Sequence, residues 1–168
     1  MNLQRYWNGA HVVAGRWTLK EVVQGKPIGH PSHALFVHFP AALLPAAFVF
    51  DLMSRVHADE TLVRAAFYNI AFGLTMAFGA FVTGLVDYLP MVGGSRKKKL
   101  GTYHLLAQVP ALASFVVSLV VRANDFDAEQ TGIAALLLAG LGTLSIIVGN
   151  YFGGELVYRQ GMRVSDDL

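Results

Sequence analysis

Ala65 to Val86 reads AAFYNIAFGLTMAFGAFVTGLV, an uncharged run held between Arg64 and Asp87. A helix rising 1.5 Å per residue needs about 20 apolar residues to cross roughly 30 Å of hydrocarbon. This stretch therefore predicts a membrane-spanning helix. Three more runs pass the same test, giving expected spans at about 34–56, 65–88, 101–122 and 130–154. The expected fold class is all-α: a polytopic membrane protein whose short loops join sequential helices into an antiparallel four-helix bundle. Residues 1–29 are read as an amino-terminal interfacial segment, 30–158 as the transmembrane domain and 159–168 as a carboxy-terminal tail.

Composition agrees. Of the 168 residues 54% are hydrophobic and 14% charged, against about 25% charged in soluble domains. Mean hydropathy is +0.47 and the pI about 9.0. The net charge of +2 is too small for a nucleic-acid-binding face, and nucleic acid is rejected as a partner. The absence of cysteine excludes disulfides, thiolate metal sites, cysteine nucleophiles and covalent c-type haem attachment.

Basic residues set the expected orientation, because Lys and Arg are retained on the cytoplasmic side. With the amino terminus inside, that side holds Arg5, Arg16, Lys20, Lys26, Arg96, Lys97, Lys98, Lys99, Arg159 and Arg163. The opposite side holds Arg55, Arg64 and Arg122. The expected location is the bacterial inner membrane with both termini cytoplasmic. Residues 1–29 mix Trp7 and Trp17 with basic residues, as a segment lying on headgroups would.

That orientation gathers polar groups at one depth. Gly29 to Pro40 reads GHPSHALFVHFP and carries His30, His33 and His38. His104 opens the third span, Asp87 and Tyr88 close the second, and Gln108, Asn150 and Glu155 lie at the same level. The other half of the bundle offers Asp51, His57 and Asn69 and no comparable cluster. Ionisable groups in membrane segments are costly and often mark function, and imidazole ligates haem iron or a divalent metal or relays protons. Matching depth makes His38 and His104 the expected ligand pair. His30 and His33 suit an exposed metal, a haem propionate or a quinone headgroup, so His30, His33, His38 and His104 are all candidate metal ligands. Asp87 is expected to fix the tautomer of His38 or His104. The competing reading is structural: interfacial histidines cost little, and a His-Pro pair can simply open a helix. Two small-residue seams, Gly73-Ala80-Thr83-Asp87 and Ala135-Ala139-Gly142-Gly149-Gly153, are expected to pack inside the bundle, with a dimer face as the alternative. Pro45 and Pro110 invite kinks.

No P-loop, G-x-S-x-G, H-E-x-x-H or dinucleotide fingerprint is present. Four helices are few for a secondary transporter, and no inverted repeat is apparent.

The Gly29–Pro40 stretch resembles the opening motif of a bacterial family of predicted membrane proteins, domain of unknown function 2231. The matching residues are Gly29, His30, Pro31, His33, Val37, His38, Phe39 and Pro40, then Asp51, Gly84-x-x-Asp87-Tyr88, His104, and Gly149-x-x-x-Gly153-Gly154-Glu155 with Gly161. Ala34 departs from the proline that members often carry there. The resemblance implies four membrane helices. The joining of some relatives to cytochrome-like or Rieske-type domains implies a redox setting. Two functions are therefore carried forward. One is a redox component using a b-type haem or divalent metal, with a quinone or a respiratory or photosynthetic complex as partner. The other is a non-catalytic assembly subunit. In both the lipid bilayer is a partner, homo-oligomers are possible, and an electron-transfer or structural role is favoured over catalysis.

Overall fold

Two of the helices outrun the apolar runs that predict them, because side-chain caps start them in the charged sequence alongside. A computed structural model describes residues 17–164. A short helix α1 (Leu19–Val23) precedes four long ones: α2 (Ser32–Val56), α3 (Glu60–Tyr88), α4 (Arg96–Arg122) and α5 (Ile133–Gly154). Helix α3 begins at Glu60 because the Asp59 carboxylate accepts the Thr61 main-chain N–H at 2.8 Å. That hydrogen bond also holds the Asp59 carboxyl below the usual carboxylate range. Helix α4 begins at Arg96 because the Ser95 hydroxyl accepts from Lys98 N–H at 3.1 Å. Its basic first turn lies outside the expected apolar span. Helix α5 starts later than expected, at Ile133, since Thr131 is engaged elsewhere. It then widens into a π-helical turn over Glu155–Arg159.

All four helices are long and apolar enough to cross a membrane. The described residues contain no β-strand ladder, and helices α2 and α4 continue unbroken past Pro40, Pro45 and Pro110. The molecule is an integral membrane four-helix bundle. Apolar side chains on its outer surface, Phe78, Leu106, Leu137 and Ile147 among them, are exposed as a lipid-facing surface requires.

The bundle is two helical hairpins. Helix α2 packs chiefly on α3 and α4 chiefly on α5, while α2–α5 and α3–α4 contacts join the hairpins. Helices α2 and α4 thus run parallel to each other on opposite corners. The hairpins are equivalent residue by residue. One constant offset relates His33 to His104, Leu44 to Phe115 and Asp51 to Arg122 on the first helix of each. A second offset, two residues shorter, relates Gly73 to Gly142, Ala80 to Gly149 and Gly84 to Gly153 on the second helix. The packing follows the correspondence. A Cβ on Gly73 would meet the Leu44 side chain at 2.8 Å, and one on Gly142 would meet Phe115 at 2.6 Å. Leu44 and Phe115 are both fully buried at the centre of the core. The small-residue seams therefore line the interior, where their missing side chains admit these large ones.

At one end of the bundle, hereafter the histidine end, the amino-terminal segment folds back beneath the helices. Thr18 and Glu21 form a reciprocal capping box on α1. The Thr18 main-chain N–H, with Lys26 beside it, brings the half-buried Glu21 carboxyl down to about 2. Gly25, at φ 83°, ends this turn. A Cβ there would stand 2.0 Å from the His30 carbonyl oxygen, so only glycine fits. His11 and the rest of residues 1–16 lie outside the described residues.

A candidate imidazole site at the histidine end

His33 sits in the first turn of α2 and His104 in the third turn of α4. Both are half-buried. Their ring centres are 6.4 Å apart with planes at 86°. His33 Nδ1 lies 2.8 Å from the Ala80 carbonyl oxygen, and His104 Nδ1 lies 2.7 Å from the Gly149 carbonyl oxygen. A carbonyl can only accept, so each Nδ1 carries the proton and donates it. The neutral tautomer that results has its lone pair on Nε2 in both rings. Ala80 and Gly149 are equivalent positions on the second helix of each hairpin, so the two imidazoles are held by the same device twice.

Glycine makes room for both rings. A Cβ on Gly84 would come within 2.8 Å of His33 Cε1, and a Cβ on Gly153 within 3.2 Å of His104 Cε1 and Nδ1. These are again equivalent positions. Gly84 and Gly153 let the second helix of each hairpin approach the ring directly.

The sequence expectation paired His38 with His104, and the fold instead sets His33 beside His104. Depth was the wrong criterion alone. At 100° per residue His38 is turned 140° from His33, and with His33 facing the bundle interior His38 is exposed on the outer surface. His30 is exposed in the turn before α2, and His57 is exposed at the far end. The four histidines offered as metal ligands are therefore not gathered. Among the described residues no group of three or more His, Asp or Glu side chains is placed to hold a metal ion.

Asp87 is also differently employed. It was expected to bond a ring nitrogen. Its carboxylate instead accepts from Gln24 Nε2 at 3.1 Å and from Arg163 Nε at 3.1 Å and Nη2. Residues from both ends of the described chain thus meet on one buried carboxylate beneath the imidazoles. Arg163 adopts φ 57°, unusual for a residue with a side chain. Nearby, Lys98 donates to the Tyr88 carbonyl at 3.0 Å and lies 3.4 Å above its ring, while Gln108 Nε2 donates to Asn150 Oδ1 at 3.2 Å.

The opposite end corrects a further expectation, that it holds no polar cluster. Arg122, counted among the charges of that side, is 2% exposed and Asp51 is 0% exposed. The guanidinium donates through Nη1 to Asp51 Oδ1 at 2.8 Å and through Nη2 to Oδ2 at 2.7 Å. The Thr131 hydroxyl donates to Oδ1 at 2.7 Å, and Arg122 also donates to the Ser118 hydroxyl at 2.9 Å. Ser54 accepts the Thr131 main-chain N–H at 3.1 Å. Every member is satisfied, as a buried charge pair must be.

A profile of the family described as predicted membrane protein (DUF2231) matches residues 29–166. The chain belongs to that family. No curated protein and no solved structure matches it. In this DUF2231 member the matched region takes in all four long helices, the imidazole pair and the buried ion pair.

Proposed function

We propose that this DUF2231 protein is a small electron-transfer component of the bacterial inner membrane, in which His33 and His104 would hold a b-type haem. The observation that carries this reading is the matched pair of imidazoles. They come from two helices, each has its Nδ1 tied to a main-chain carbonyl, and among the described residues neither Nε2 has a hydrogen-bond partner. Carbonyl-bonded imidazoles with fixed tautomers are the usual form of metal-ligating histidine.

The donor set favours haem over a lone divalent metal. Structural zinc asks the protein for about four ligands, and three are not gathered among the described residues. Haem iron takes its equatorial ligands from the porphyrin and needs two from the chain. The two ring centres stand 6.4 Å apart on facing helices. The bound group would supply reversible one-electron chemistry. The chain's own residues orient the imidazoles, keep both Nε2 atoms unprotonated, and exclude bulk water from the half-buried rings. Gln24, Asp87 and Arg163 close the interior beneath them.

Charge asymmetry supports placing the histidine end at the cytoplasmic face. Since Arg122 is spent in a buried pair, the other end retains only Arg55 and Arg64 in the helix turns beside its loops, against the ten basic residues of the histidine end and its flanking segments. A quinone or a membrane redox complex is the proposed electron partner.

The test is an absorption spectrum of the purified protein, oxidised and then reduced. A b-type haem signal lost in His33→Ala and in His104→Ala, and kept in His38→Ala, is the expected result. A colourless wild-type protein from haem-replete cells would overturn the reading. It would leave the assembly subunit, whose ion-paired bundle needs no cofactor.

A further inference from the structure

We infer that the buried Asp51–Arg122 pair is a positioning device for the imidazole pair, fixing the register of one hairpin against the other so that His33 and His104 face each other at the correct separation. The functional consequence rests on the haem reading above, while the mechanical one stands by itself.

Three observations carry it. First, the two pairs join the same two helices on the same faces. Asp51 follows His33 by 18 positions and Arg122 follows His104 by the same number. At 3.6 residues per turn that is five full turns, or about 27 Å along each helix. The two helices thus meet at both ends, through the edge-on ring contact of His33 with His104 at one and the ion pair at the other, with buried Leu44 and Phe115 between them.

Second, α2 and α4 stand on opposite corners, so their spacing is not set by direct helix packing. Each is held tightly inside its own hairpin, where glycine admits Leu44 or Phe115. Between hairpins the helices touch less extensively, although Gly140 of α5 admits the Phe48 ring of α2. Directional side-chain bonds across the diagonal then decide how far one hairpin slides or turns against the other.

Third, the link at the Asp51 end is rigid. A guanidinium meeting a carboxylate through two parallel bonds permits one relative orientation. Thr131 and Ser118 hold the two partners from the side, tying in the start of α5 as well. The pair is also the clearest break in the equivalence of the hairpins. Positions that correspond carry opposite charges, so the hairpins fit each other and a like pairing of two identical ones does not.

The experiment reads the histidine end from a distance, without needing cofactor. The chain has no cysteine, so a spin-label pair at Leu35→Cys and Tyr103→Cys, both exposed positions on α2 and α4, reports only on that end. In apoprotein reconstituted into lipid, the expected result is one narrow distance distribution. Arg122→Lys keeps the charge but cannot make the two-pronged bond, and it should broaden or shift the distribution about 27 Å away. Asp51→Asn should do the same, and the exchange D51R with R122D should restore the narrow distribution. Unchanged distances in folded, inserted Arg122→Lys and Asp51→Asn would overturn the proposal and leave the haem reading untouched. Conversely, a colourless protein whose label distances respond as expected would sink the haem reading and keep the positioning device. In the haem-bound protein, Arg122→Lys should also alter the low-spin spectrum, a change that general destabilisation would not produce in the fully folded fraction.

Discussion

His33 lies so close to Gly84 that a Cβ on the glycine would stand 2.8 Å from its Cε1 atom, while the equivalent contact of His104 with Gly153 is 3.2 Å. The difference separates two otherwise identical substitutions. Glycine to alanine inside a helix gains about 0.8–1.0 kcal/mol of propensity, and overpacking costs about 1–3 kcal/mol. At Gly84 overpacking wins and the His33 ring must move. At Gly153 the ring needs to yield only slightly. Gly84→Ala should reduce haem occupancy several-fold with little gain in melting temperature, and Gly153→Ala should keep occupancy within about twofold. Haem-to-protein stoichiometry and thermal unfolding in detergent check both.

The buried ion pair should be the costliest site in the bundle to break. Removing one partner leaves the other charged and enclosed, which costs about 3–5 kcal/mol. Asp51→Ala and Arg122→Ala should each lower stability by that amount, while the double substitution should be less damaging than their sum. A double-mutant cycle by thermal unfolding measures the coupling. Additive losses would show that the two side chains act separately.

Asp87 makes a second, smaller prediction. Its bonds from Arg163 are charge-assisted, and hydrogen bonds to charged groups contribute about 1.5–3 kcal/mol. Arg163→Ala should therefore destabilise the protein within that range and loosen the carboxy-terminal turn. Faster proteolysis after Met162 is the accompanying sign. Asp87→Asn should weaken the same contact without changing the tautomer of either histidine, since the carbonyls of Ala80 and Gly149 hold their Nδ1 atoms.

Orientation has a direct check. Cysteine at Gly93, in the exposed α3–α4 turn, should be labelled only from the cytoplasmic side. Cysteine at Asp125, beyond α4, should be labelled only from the outside. The reverse pattern would overturn the assignment of the histidine end to the cytoplasm.

The helices were legible because uncharged runs such as Ala65 to Val86 are decided by length alone. Their ends were less so: Asp59 and Ser95 start helices in charged sequence that an apolar window discards. Depth was legible only to about a turn, since matching levels pair His38 with His104 whereas the ring beside His104 is that of His33, five positions earlier. What depth could not give was azimuth. Five positions from His33, His38 looks equally placed in a list and faces the other way on the helix. The ion pair was missed because Arg122 sits where an apolar run ends, the normal place for a solvated loop charge. The signal was nevertheless in the spacing. Asp51 and Arg122 each lie five turns beyond a histidine, and the equivalence of Gly73, Ala80 and Gly84 with Gly142, Gly149 and Gly153 defines a parallel repeat in place of an inverted one. Gln24 was beyond reach, since its approach to Asp87 depends on the turn at Gly25.

The most direct test of the central claim is the reduced-minus-oxidised absorption spectrum of the wild type beside His33→Ala, His104→Ala and His38→Ala, each verified as folded and membrane-inserted. A b-type haem near one per chain in the wild type and in His38→Ala, and none in the other two, is the result expected from the haem reading. Haem retained by both His33→Ala and His104→Ala, or absent from the wild type, would contradict it.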